Sequence, residues 1–187
     1  GYNPKGDIGG GLRIEAGSTA VLGRSTVINN NTAQNGGGVY TKGGNVTINN
    51  STITENKATG YGGGICAEDN STVTINGGKV IGNTTTSGNG GGIYAINGTV
   101  TAADCDISDN DAGQYNGGGI CAQNSTLTLE KNTLNRNKSK SGGAIWMNAS
   151  DAALTGNTID HNAVTSSGGG IYAYGDANRR RGNHTIT

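Results

Sequence analysis

The chain has 187 residues, and its 13 basic and 13 acidic side chains cancel, which excludes the electrostatic footprint of a nucleic-acid or anionic-membrane binder. Glycine fills 36 positions, aromatics make up 4% and phenylalanine is absent, which argues against an ordinary enzyme core and leaves disorder or a periodic scaffold. No apolar run is long enough to span a membrane as a helix, no signal peptide opens the chain, and Cys66, Cys105 and Cys121 lack the paired spacing of a metal site.

The opening residues, GYNPKGDIGG, read as the interior of a larger protein, with 1–8 as a lead-in. A glycine cluster then begins at Gly9 and returns at Gly36, Gly62, Gly90, Gly117, Gly142 and Gly168, a spacing of 25 to 28 residues. Each cluster runs into an aliphatic residue: Leu12, Val39, Ile65, Ile93, Ile120, Ile145 and Ile171. Period-two segments follow, as in Val46–Ile48, Val73–Ile75, Val100–Ala102 and Leu127–Leu129, the pattern of short half-buried strands. Each repeat closes on an Asn three residues after an aliphatic one: Asn30, Asn56, Asn83, Asn110, Asn137 and Asn162.

Three short strands per repeat, recurring about seven times, predict an all-β parallel β-helix over residues 9–178, one domain in which each coil pairs with its neighbours and the stack makes the core. The Leu-rich signature of a leucine-rich repeat and the three-residue glycine period of collagen are both absent. Arg179–Arg181 then form a basic loop, and the final HTIT starts a further strand. An uncovered parallel edge there predicts truncation or end-to-end self-association.

Equivalent residues of stacked coils form columns. The Asn column reads as a structural ladder, since a buried amide must satisfy its carbonyl and both N–H groups. Tyr40, Cys66, Tyr94, Cys121, Trp146 and Tyr172 alternate with inward aliphatics and are expected to face out, the aromatics as a shield for the sheet or as a sugar-binding stripe. Cys66 and Cys121 stand two coils apart, roughly 10 Å by the rung spacing, beyond disulfide reach. All three thiols are expected to be free.

Two constellations offer chemistry. Asp104, Asp106, Asp109 and Asp111 lie within one coil, a spacing compatible with calcium, although no EF-hand glycine or closing Glu follows. Asp109, Arg136 and His161 share a column, with Asp160 adjacent, and are the nearest approach to the clustered carboxylates of a polysaccharide lyase or hydrolase. Paired threonines (Thr72 and Thr74, Thr99 and Thr101, Thr126 and Thr128) form a short outward array resembling an ice-binding face. Asn50, Asn70, Asn97 and Asn124 open glycosylation sequons.

The clusters GG(G/A)I, together with the apolar residue three before Asn, resemble the repeats of polymorphic outer-membrane proteins from Gly9 to Ile171. Those autotransporter passengers carry GGA-(I/L/V) and F-x-x-N motifs. Gly142–Ile145 reads GGAI in full; the other clusters have Gly for Ala, and Val, Ile or Leu stands for Phe. Adhesin-like right-handed β-helix repeats of bacteria and archaea accommodate these departures. The resemblance implies a right-handed scaffold without catalytic residues or cofactor, secreted or displayed at the cell surface, whose partner is a glycan or protein on a host or neighbouring cell. A carbohydrate-active or carbohydrate-binding β-helix is the alternative.

Overall fold

The structure, a computed structural model, describes residues 6, 8–175 and 184–186; the basic run Arg179–Arg181 lies outside them. The strand after each glycine cluster pairs in parallel with its counterparts one coil away. This first face holds seven strands in chain order, from Leu12–Ile14 through Ile93–Ile96 to Ile171–Tyr174. The pairing aligns Leu12, Val39, Ile65, Ile93, Ile120, Ile145 and Ile171 in one column, as the repeat requires.

The second face carries the period-two segments and the third carries the strand leading to the Asn. In three central coils the two run together, as Asn45–Thr54, Thr72–Ile81 and Thr99–Ser108. His184–Ile186 adds to the second face against Ala152–Leu154. Beyond the three strands per coil there is a short fourth segment: Thr32–Ala33, Lys57–Ala58 and Thr84–Thr85 pair as one ribbon, and Lys138–Ser141 pairs with Ala163–Ser167.

Inside the coils runs one continuous aliphatic core, including Ile53, Ile75, Ile107, Ile120, Leu134 and Ile145, all buried. Toward the two ends of the stack the same columns are only partly buried, at Leu12, Leu22 and Ile28 and again at Ile159 and Ile171. No single coil encloses this core; burial depends on the neighbour on each side.

The glycine cluster makes a tight corner. Gly62 has φ +64°, and a Cβ there would lie 2.3 Å from the Ile65 carbonyl oxygen and 2.8 Å from the Cys66 Cβ. At Gly63 a Cβ would meet Gly91 O of the next coil at 2.4 Å. The first glycine therefore supplies the left-handed turn, and the second lets adjacent coils pass at backbone contact.

Candidate functional site

Three further left-handed corners recur in the first six coils. The corner after the first face holds Gly43, Asn70, Asn97, Asn124 and Ala149; the next holds Asn50, Gly77, Asp104 and Lys131; the third holds Asn30, Glu55, Gly82, Asp109, Arg136 and His161. After glycine, Asn and Asp tolerate this conformation best. Asp104, Asp109, Arg136 and His161 thus occupy corner positions repeated along the stack, so their backbone conformation belongs to the coil and does not mark a strained active site. The sequon residues Asn50, Asn70, Asn97 and Asn124 are exposed corner residues as well.

The residue following each third corner forms the amide ladder. The side-chain carbonyl of Asn110 accepts from the backbone N–H of Asn83 at 3.0 Å and from its Nδ2 at 3.1 Å. Its own Nδ2 donates to Asn137 Oδ1 at 3.0 Å and to Val80 O at 2.9 Å. The same bonds link Asn56 to Asn83 and Asn137 to Asn162. The ladder begins at Asn31, which donates to Asn56 Oδ1 at 3.0 Å through both its backbone and side chain. Asn30, expected in that place, is instead the exposed corner residue with φ +55°. The aliphatic partner shifts with it: Val27 points outward, 57% exposed, and Ile28 packs on the core.

A second ladder, absent from the sequence reading, follows the middle corner. Asn132 Oδ1 accepts the Cys105 N–H at 2.9 Å, and Asn132 donates to Asn157 Oδ1 from its backbone at 2.9 Å and its side chain at 3.0 Å. Its signal was present: Leu129 precedes Asn132 by three residues and Leu154 precedes Asn157 by three, the same aliphatic-x-x-Asn rule applied one corner earlier. Serines serve the remaining corner, with Ser150 Oγ accepting from Ser125 N–H at 3.1 Å and Ser125 Oγ from Gly98 N–H at 3.2 Å.

The aromatic column is not an exposed stripe. Tyr40, Cys66, Tyr94, Cys121 and Trp146 lie on the outer side of the first face, yet all are buried in a second small core that Tyr172 joins half-buried. The chain entering each glycine corner folds back over them: a Cβ on Gly142 would meet the Trp146 Cβ at 2.7 Å. Tyr61 stacks on Tyr94 at 4.7 Å, and the Tyr40 hydroxyl donates to Glu68 Oε2 at 2.8 Å. Burial, with the Glu68 carboxylate next, drives the Tyr40 phenol up, and burial alone does so for the Cys121 thiol. The three cysteines are free and buried.

The four aspartates do not converge. Asp104 sits at one corner and Asp109 at the next; Asp106 accepts from the Ser108 hydroxyl, and Asp111 accepts the Gly113 N–H at 2.7 Å. Among the described residues no three His, Cys, Asp or Glu side chains are placed to share a metal ion, which corrects the calcium arrangement. Each aspartate is turned to its own corner or loop.

The lyase-like column closes into two separate pairs. Arg136 grips Asp109 with bidentate bonds of 2.7 and 2.8 Å. That hydrogen-bonded guanidinium holds the Asp109 carboxyl below its ordinary value. His161 Nδ1 lies 2.6 Å from Asp160 Oδ2. All four side chains are well exposed. Lys131 pairs with Glu130 at 2.9 Å, and Glu130, more than Asp104 on the coil below, raises its ammonium. The threonine pairs align in register over three rungs, Thr72 to Thr99 to Thr126 and Thr74 to Thr101 to Thr128.

The profile of the right-handed β-helix region family matches residues 76–186. The chain belongs to the right-handed β-helix family. The family supplies the handedness of this β-helix, which the spacing of its repeats left open. Two segments, residues 25–42 and 50–68, also match the Chlamydia polymorphic membrane protein repeat; each pairs a third-face strand and its ladder Asn with the next glycine corner. No curated protein and no solved structure matches this β-helix.

Proposed function

We propose that the chain is a non-catalytic attachment module, displayed at a cell surface, whose outward faces bind a glycan or protein of another surface. The observation that carries this reading is the destination of the amides: the ladder asparagines hold coil to coil, and the exposed charges of the lyase-like column are closed into the Asp109–Arg136 and Asp160–His161 pairs. What remains outward is a regular, rigid sheet surface suited to presentation. The similarity to polymorphic membrane protein repeats supports surface display.

The test pairs a glycan array and cell-binding assay with polysaccharide lyase and hydrolase assays on the same protein. Binding without turnover is the expected result. Turnover that disappears in Asp109→Ala would overturn the proposal in favour of an enzyme.

A further inference from the structure

The fourth side of the stack loses its regularity in one place. Asp111 makes only single-residue bridges to Thr84 on one side and Lys138 on the other. The chain then leaves the stack in a turn closed by the Tyr115 N–H on Ala112 O at 3.0 Å and held by the Lys140 N–H on Tyr115 O at 2.7 Å. One coil further, the pairing of Lys138–Ser141 with Ala163–Ser167 slips between Ser139 and Ser141. The overhanging turn and the slipped register together leave an open cleft of about 260 Å³.

Its lining combines two chemistries. Ala163 and Val164 supply apolar surface, while Asp111, Gln114, Lys138 and Thr165 bring polar groups to it. The side chains of Gln114, Lys138 and Thr165 make no hydrogen bond or ion pair among the described residues, and one Asp111 oxygen is already committed to the Gly113 N–H. Carboxylate, amide and hydroxyl accept from ring hydroxyls; ammonium, amide and hydroxyl donate to them. One acid set against one base leaves the cleft near neutral, which disfavours a strongly charged ligand. The volume falls below the roughly 300 Å³ at which sites for drug-sized ligands begin, so a single ring is the natural occupant.

We propose that this cleft is a subsite for one neutral pyranose unit of a glycan, its hydroxyls bonded by Asp111, Gln114, Lys138 and Thr165 and its C–H face resting on Ala163 and Val164. The proposal rests on the attachment reading above and assigns it a glycan ligand and a place. It puts recognition on the fourth side, with no residue of the threonine rows or of the Tyr–Trp column in the lining.

The experiment is an amide-resolved NMR titration of the isotope-labelled chain with galactose, N-acetylglucosamine and glucuronate, run beside the glycan array. The expected result is saturable shifts at Asp111–Gln114 and Ala163–Thr165 with a neutral sugar. Asp111→Asn should weaken that binding about tenfold, the equivalent of one charge-assisted hydrogen bond. Ala163→Trp, on an exposed position, should abolish it with an unchanged melting temperature; Gln114→Ala in the exposed turn serves if the Trp variant does not fold. Shifts with no sugar, shifts mapping to the threonine rows, or tighter binding of glucuronate would each overturn the assignment. Array or cell binding by the wild type that survives Ala163→Trp sinks the cleft and leaves the attachment reading standing. Wild-type binding to no glycan and no cell sinks both.

Discussion

Asn110 is fully buried and bonded to both neighbouring coils. Replacing it by Ala removes the side-chain bond to the Val80 carbonyl and takes the acceptor from the buried Asn83 backbone N–H, at about 1–3 kcal/mol for an unsatisfied buried group. Asn110→Ala should therefore lower the unfolding free energy by that amount and the urea midpoint with it, and an unchanged midpoint would remove the ladder from the account of stability. The glycines divide in the same way. Gly63→Ala drives a Cβ against Gly91 O at 2.4 Å and Thr84 O at 2.5 Å, so it should cost about 3 kcal/mol, the upper end for overpacking. Gly23→Ala meets nothing within 4 Å and should be neutral or gain about 0.4–1 kcal/mol from a less flexible unfolded chain; parallel denaturation of the two variants checks the contrast. At this scale most ladder positions were legible, because an aliphatic residue three before an Asn recurs with the coil. The run Asn29–Asn30–Asn31 defeated the rule: three identical amides give no local cue to which one turns left-handed and which one points inward. Only the bonds to Asn56 settle it.

Alternation along the first-face strands correctly separated the aliphatic column from the Tyr–Cys–Trp column, but alternation says only which side of a sheet a residue takes. Whether that side meets water depends on a different part of the chain, the segment folding back through the glycine corner, and no local pattern encodes that cover. The consequence is measurable at Trp146, which is 6% exposed: its fluorescence should resist iodide quenching in the folded protein and yield to it on unfolding. Efficient quenching in native buffer would return the column to the surface. The buried thiols add a pH dependence. Desolvation raises Cys105 from 9.0 to about 11, partly offset by backbone hydrogen bonding at Gly77 and Ala103, and burial moves Cys66 and Cys121 the same way. A raised folded pKa means the folded state keeps its proton while the unfolded chain loses it, so this stability is intact below pH 9 and is lost as the pH climbs through about 11. The melting temperature should fall across that window, and Cys105→Ala should make the decline shallower; an identical slope in the variant would exclude the thiol.

At the scale of the whole molecule the period was the most legible feature, since a repeat that returns every 25 to 28 residues can bury its aliphatics only by stacking. Handedness was not legible, because strand lengths and spacing are the same for either hand, and the cleft was not, because it arises from a slipped register between two coils. Stacking also dictates how stability is distributed. Every coil contacts only its neighbours, so the central coils are supported from both sides and the outer ones less completely; accordingly Ile107 is fully buried, whereas Leu12, Leu22, Ile159 and Ile171 are only partly covered. Local opening should then proceed from the outer coils inward. Native-state hydrogen exchange on this chain should find the slowest backbone amides in the strands from Ile65–Glu68 to Ile120–Gln123, with protection declining toward Leu12–Ile14 and Ile171–Tyr174. Ile107→Ala should cost about 2–5 kcal/mol as a cavity inside that protected block, lowering protection across the central coils together, while Ile159→Ala should cost less and act mainly on the coils beside it. Uniform protection from first strand to last, or equal penalties for the two truncations, would mean that the rod opens as a single unit and that nearest-neighbour stacking does not set its stability.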